Sequence, residues 1–321
     1  MTLLSAKAAH MPCLTNDLAG TRLIFFTGFT TVACWFQKSP YGSTASGHAL
    51  IVRIALIAIS IAVWHGAYDG TLARPRFEPW MGRWWFPAFA SGYLLLVGAT
   101  LIAWHVAPAS TLVAFLLYSS WHFGTEQDVE RLTPGGAVSG FAYGALPISA
   151  ACYWHPEQVN TIFRAMLGSS ADSAFPLNLT RLWATLLWAI VAFAALGALL
   201  GLRGKAQSTR LSLTSLIAVE LLLFRCCDPV LAFAIYFCMW HTPEHLVSTS
   251  LDRDGLFKPR IMWQNLRAGL PPWIASLAAL TTLLALRPQS VTGYTSGLFV
   301  LLSALTVPHM GLNEMRRFVR H

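Results

Sequence analysis

Long apolar runs separated by short polar breaks fill almost the whole chain, and most are too long to be strands. Crossing about 30 Å of hydrocarbon takes roughly 20 helical residues. Ten runs approach or reach that length: 22–36, 48–66, 86–106, 108–123, 136–153, 180–202, 211–226, 228–247, 272–287 and 294–311. The first and seventh are short, so eight to ten crossings are expected. Two breaks, Ala107-Pro108 and Cys227-Asp228-Pro229, are tight and read as helical hairpins. No internal repeat or low-complexity tract interrupts the pattern. The pattern predicts an all-α, polytopic transmembrane bundle. A loose tail covers residues 1–21, one helical domain covers 22–311, and a short basic tail covers 312–321.

Composition sharpens this picture. The 321 residues are 55% hydrophobic and only 11% charged, whereas a soluble domain carries about 25% charged residues. The net charge of +8 would suggest a nucleic-acid partner in a soluble protein. Here the basic residues are spread over short loops, with no basic run interleaved with aromatics, no P-loop and no dinucleotide fingerprint, so no nucleic acid is expected. With a cytoplasmic amino terminus and ten crossings, sixteen of the 22 Lys and Arg fall on the cytoplasmic side and five opposite. That asymmetry is the positive-inside signal. It places both termini in the cytoplasm and the chain in the cell membrane.

The six cysteines (Cys13, Cys34, Cys152, Cys226, Cys227 and Cys238) have neither CxxC spacing nor a secreted framework, and read as structural thiols. The first twenty residues hold His10, Pro12 and Asn16 and lack a long apolar core, unlike a signal peptide. Two charges fall within spans, Glu220 and Arg53. Either they bridge, or Arg53 snorkels outward and Glu220 is protonated; ionisable groups in lipid are costly and usually paired.

The candidate chemistry lies with the histidines. In Met239-Trp240-His241-Thr242-Pro243-Glu244-His245, two histidines sit four apart at the end of an apolar run, where i and i+4 share a helix face. Pro243 lacks a backbone donor, which predicts a kink there. His65 ends the second span, His122 the fourth and His309 the tenth. Even-numbered spans run the same way, so all five histidines arrive at similar depth near the cytoplasmic ends of their helices. His105 and His155 fall on the opposite side, His48 at the outer start of a helix, and His10 and His321 in the tails. A single histidine at a helix end is most often an interfacial residue or a dipole partner. Five at one depth, including an i,i+4 pair, point instead to a shared metal site. Nitrogen ligation suits iron, zinc or copper.

Asp69, Asp128 and Glu244 stand close in sequence, as partners for the second imidazole nitrogens or as plain interfacial charges. Trp64, Tyr68, Trp121, Phe123, Tyr236, Phe237 and Trp240 flank the histidines. Aromatics gather at membrane interfaces in any case; the functional alternative is an apolar slot for a long hydrocarbon. Gly66 and Gly124, each near a candidate ligand, permit close backbone approach.

The ordered set resembles the Brp/Blh family of microbial membrane β-carotene 15,15′-dioxygenases. The resemblance rests on His65-Gly66-Ala67-Tyr68-Asp69 (the family commonly has Leu where Tyr68 stands), on His122-Phe123-Gly124 with Asp128 downstream, on His241-x-x-x-His245, and on Pro308-His309. It covers about residues 50–310, with the first fifty as an extension. The resemblance implies an Fe(II) site held by His65, His122, His241 and His245. His309, Asp69, Asp128 and Glu244 stand as a fifth ligand or as groups supporting the ligands. It implies as substrates O2 and β-carotene or a related carotenoid taken from the lipid bilayer, and as product retinal, which a rhodopsin could use.

Three readings compete, one of them a transporter, whose usual sign is a polar or broken helix at mid-membrane, where only Glu220 qualifies. A membrane di-iron hydroxylase or desaturase of lipids or carotenoids needs about eight histidines in several boxes, and only one HxxxH is present. A non-catalytic haem-binding subunit would place facing histidines deep in the bilayer, whereas these sit at helix ends.

Overall fold

The tight breaks seen in the sequence are where the chain reverses. In the computed structural model, which describes residues 13–125, 136–168, 174–201, 207–251, 256–286 and 290–319, the apolar runs fall in helices. These are α1 (Cys13–Gln37), α2 (Ala45–Ala62), α3 (Trp64–Ala67), α4 (Asp69–Met81), α5 (Trp85–Val106), α6 (Pro108–Thr125) and α7 (Gly136–Trp154). The chain continues through α8 (Pro156–Leu167), α9 (Phe175–Gly201), α10 (Gln207–Cys226), α11 (Pro229–Tyr236), α12 (Thr242–Thr249), α13 (Pro259–Ala285) and α14 (Val291–Val319). No strand occurs among the described residues.

Local chemistry explains the boundaries. Asp228 caps α11, its Oδ1 accepting from the amides of Val230 at 2.8 Å and Leu231 at 3.4 Å, with Pro229 in the first turn where no donor is needed. At the other hairpin, Ala107 leaves helical geometry (φ −140°, ψ 60°) and Pro108 starts α6. The second apolar run is broken at Val63 and again at Tyr68, so α2, α3 and α4 follow each other as separate helices.

The irregularity expected at Pro243 appears one turn earlier. Residues Phe237–His241 form a π-helical turn, in which the Thr242 amide bonds the Phe237 carbonyl five residues back. Pro243 itself sits in the first turn of α12, where its missing donor costs little. The widened turn inserts one extra residue in the stretch that ends on His241, the first of the histidine pair, and such turns concentrate at functional sites.

Many helices present apolar side chains outward as well as inward. Ile54 and Ile57 of α2, Leu94, Leu95 and Ile102 of α5, and Leu182 and Phe193 of α9 are all exposed. A helix apolar all round belongs in a large core or in lipid. Among the described residues, the stretches Ala45–Val106, Phe175–Leu196, Pro259–Ala285 and Val291–Met315 are long and apolar enough to cross a membrane. Such apolar helices fit a membrane protein.

Inside, α7 packs against α6 and α9. The α6–α7 contact is set by glycine: a Cβ on Gly124 would lie 1.7 Å from the Gly140 carbonyl oxygen, and one on Gly144 1.9 Å from that of Ser120. The two backbones touch because Gly124, Gly140 and Gly144 carry no side chain there. That contact fixes the end of α6, which carries His122.

The bridge between Glu220 and Arg53 does not form. Glu220 is buried and neither carboxyl oxygen has a hydrogen-bond partner, while Arg53 is exposed. Arg53 is exposed on the outside of its helix, where a long basic side chain keeps its charge out of the core.

Candidate metal centre

The five histidines converge. His65 is carried by α3, His122 by α6, His241 by the π-helical turn, His245 by α12 and His309 by α14. All are buried, between 3% and 8% exposed. Their rings form a closed chain: His122 to His241 5.1 Å, His241 to His65 4.9 Å, His65 to His245 5.3 Å, His245 to His309 4.9 Å and His309 to His122 5.3 Å between centroids. One nitrogen from each of His65, His122 and His241 lies within 4.8 Å of the others. Imidazole nitrogens bind metals such as zinc at about 2.0–2.1 Å, so three ligands around one ion stand about 3–3.5 Å apart at tetrahedral or octahedral angles. The triad, with its nitrogens within 4.8 Å, closes on an ion when its rings draw inward.

Hydrogen bonds orient the rings. His65 Nδ1 lies 2.8 Å from the Ala62 carbonyl oxygen. A carbonyl only accepts, so Nδ1 carries the proton and the Nε2 lone pair is left to face an ion. His309 Nδ1 lies 2.9 Å from both oxygens of Asp69 and donates to them. Tyr93 also donates to Asp69, at 3.3 Å. His309 Nε2 meets the side-chain amide of Asn313 at 3.2 Å, so both its nitrogens have partners inside the protein. Gly66 lies against this ring: a Cβ there would sit 3.4 Å from His309 Nδ1. Tyr68 stacks on His245 at 5.9 Å, and its hydroxyl lies 3.1 Å from that of Thr249, which donates to the His245 carbonyl. Phe237 stacks on His241 at 5.2 Å, and Phe123 meets the same ring edge-on at 4.9 Å.

The cluster opens on a cavity of about 790 Å³, and His65, His122, His241 and His309 all line it. One part of the wall comes from α4, α5 and α13, with Phe86, Phe89, Leu94, Pro271 and Ala275. Another comes from α6, α7, α8 and α11, with Phe115, Ile148, Ile162, Phe163, Met166 and Phe233. Small-molecule sites of about 300–1,000 Å³ with apolar walls and few polar groups are the norm. The polar groups here are concentrated at the histidines, Asp69, Tyr93 and Arg74.

The sequence-derived slot divides. Tyr68, Phe123 and Phe237 line the cavity. The other four turn elsewhere, because each finds a partner on a neighbouring helix. Trp64 stacks on Trp273 at 4.8 Å and donates to the Leu266 carbonyl. Trp121 donates to Glu314 at 3.1 Å. Tyr236 packs edge-on to Phe123 at 5.5 Å without lining the cavity, and Trp240 packs against Phe26 at 5.8 Å. Of the three carboxylates, Asp69 reaches a ring of the cluster, Glu244 pairs with Arg22, and Asp128 lies outside the described residues. The sequence did not single out the cavity wall from α8, whose short amphipathic pattern is the signal that would have found it, nor Tyr93 and Asn313 beside the cluster.

A family model described as β-carotene 15,15′-dioxygenase matches residues 16–315. The chain belongs to the β-carotene 15,15′-dioxygenase family. It is a carotenoid dioxygenase by that membership. A relative described as "Probable beta-carotene 15,15'-dioxygenase Blh", from Halobacterium salinarum, is 27% identical over 301 residues, covering 84% of this chain and 85% of its own. No solved structure matches the chain. The match corrects the expectation that the first fifty residues are an extension: it takes in most of α1, which packs on α10, α11 and the π-helical turn and is part of the bundle.

Proposed function

We propose that this protein is a non-haem iron enzyme that cleaves the central 15,15′ double bond of β-carotene with O2, giving two molecules of retinal. The observation that carries the reading is a ring of five buried imidazoles opening directly on a large apolar cavity, in a chain of this family. The donor set fits the metal: the ligands are nitrogens, at least one tautomer is fixed by the backbone, and three ligand atoms already lie close together. His65, His122, His241 and His245 would hold Fe(II). Bound Fe(II) would supply the chemistry that makes O2 reactive toward the polyene.

The chain's own groups do the rest. Asp69 accepts a hydrogen bond from His309 Nδ1 and fixes that ring against the cluster, while Asn313 engages its other nitrogen. Phe123 and Phe237 wall the site on one side and Tyr68 stacks beside His245, so a conjugated chain would meet flat apolar faces next to the ligands. Those faces exclude water and hold one C=C bond in place, the positioning that makes a reaction effectively intramolecular. One oxygen atom goes to each carbon of the broken double bond, and neither half leaves with a charge to be stabilised. An apolar substrate and product suit entry and exit through the lipid bilayer. We further propose that the chain lies in the cell membrane as one helical domain. The site would then stand near the cytoplasmic face and both termini in the cytoplasm, and retinal would be available to a rhodopsin.

The test is expression in a β-carotene-producing bacterium, with extracted pigments separated by chromatography. Loss of β-carotene with appearance of retinal alone is expected. Retained β-carotene in cells holding folded, iron-loaded protein would overturn the assignment of substrate, and products of unequal length would overturn central cleavage.

A further inference from the structure

The helix that carries two of the candidate ligands is held from behind by a residue far away in sequence. His241 follows Trp240 directly, and His245 follows Glu244 directly. Trp240 and Glu244 are themselves four apart and share a face next to the one bearing the histidines. Arg22 of α1 engages both. Its Nη1 is paired with Glu244 Oε2, and its guanidinium carbon stands 5.3 Å from the Trp240 ring centroid. Phe26, one turn on along α1 and fully buried, packs against the same indole at 5.8 Å. The Arg22 and Glu244 side chains are only 15% and 21% exposed, so bulk water screens the pair weakly.

The backbone at this point needs such support. The π-helical turn replaces regular i→i−4 bonding over Phe237–His241, and Pro243 supplies no donor to the turn before it. Two ligands therefore stand on the least regular stretch of their helix. A planar guanidinium that grips a carboxylate at one end and lies over an indole at the other fixes both translation and rotation of that stretch; an ammonium does not match this geometry.

We propose that Arg22 is a positioning residue for the metal centre: through Glu244 and Trp240 it sets the place and rotation of His241 and His245. The proposal rests on the reading of the histidines as metal ligands. Groups that orient ligands are worth about 10–100-fold in metal affinity, and Arg22 acts on two ligands at once.

The experiment is Fe(II) titration of the full-length apoprotein in detergent, read as a dissociation constant. It covers the unsubstituted chain, Arg22→Ala, Glu244→Ala and the double variant, with thermal unfolding of each apo form alongside. Each single variant should bind Fe(II) about 10–100-fold more weakly. The double variant should be no worse than the weaker single one, and the apo melting temperatures should stay close together. Arg22→Gln, which keeps much of the stem and removes the charge, carries the same expectation if Arg22→Ala does not fold. Unchanged affinity in the Arg22 variants, or losses that multiply in the double variant, would overturn the role of Arg22 alone. A loss of affinity matched by a collapse of the apo form in both Arg22 variants would overturn it too, as general stability. An unsubstituted apoprotein that binds no Fe(II) would overturn the metal centre, and the proposal with it.

Discussion

Two buried polar regions of this bundle make a useful contrast. At one, five imidazoles and Asp69 meet; His65 and His309 have named hydrogen-bond partners and every ring has aromatic or imidazole neighbours. At the other, Glu220 is buried in the body of α10 with neither oxygen hydrogen-bonded. The difference is in the backbone. Four of the five histidines stand where helices break or end, near Val63 and Tyr68, at the end of α6 and at the π-helical turn, while His309 follows Pro308 within α14. Glu220 sits in an unbroken helix. A polar residue inside lipid-facing architecture marks a site when the fold also gathers partners for it; burial by itself carries a cost of about 1–3 kcal/mol per unsatisfied group and no function.

The sharpest way to break this contrast is at the gathered end. His241→Ala should abolish retinal formation and strip iron, as measured by chromatography and elemental analysis. His105→Ala, at the exposed end of α5, should do neither. Full activity in the first variant would remove His241 from the site. Next in size is Asp69→Ala, which takes away the acceptor of His309 Nδ1. Iron affinity or turnover should fall about 10–100-fold, with Asp69→Asn between it and the unsubstituted chain. Gly124→Ala acts on folding, since its Cβ would meet the Gly140 carbonyl oxygen at 1.7 Å. The apo form should melt well below the unsubstituted chain, because backbone rather than a mobile side chain must yield. The smallest effect is expected at the other end of the contrast. Glu220→Leu removes two unpartnered oxygens and should raise the melting temperature by a few degrees, in line with roughly 1–3 kcal/mol, and leave turnover unchanged. Lost turnover there would mean that an isolated carboxyl can be functional in this fold.

The sequence shows the helices for a plain physical reason, since long apolar runs separated by polar breaks mark them. Histidines near the ends of several such runs single themselves out as candidates for one site, and the structure brings their rings together. The sequence shows Asp69 as well, because four residues on from His65 is close enough to matter. What it does not show are the directions in which side chains turn. Trp64, Trp121 and Trp240 at helix ends look alike in sequence whether they face a cavity or a neighbouring helix, and here a partner on the next helix decides. The π-helical turn leaves no mark in composition, since one extra residue per turn changes no hydropathy. Arg22 and Glu244, 222 residues apart, meet only through the packing of α1, and nothing local to either announces it.

Counting metal decides most directly whether one iron sits among these histidines. Elemental analysis of the protein purified anaerobically after Fe(II) loading, with its visible spectrum, should give one iron per chain and no Soret band. Two irons per chain would point to the di-iron reading, a Soret band to haem, and no iron at all would contradict the assignment of the histidine ring as the metal centre.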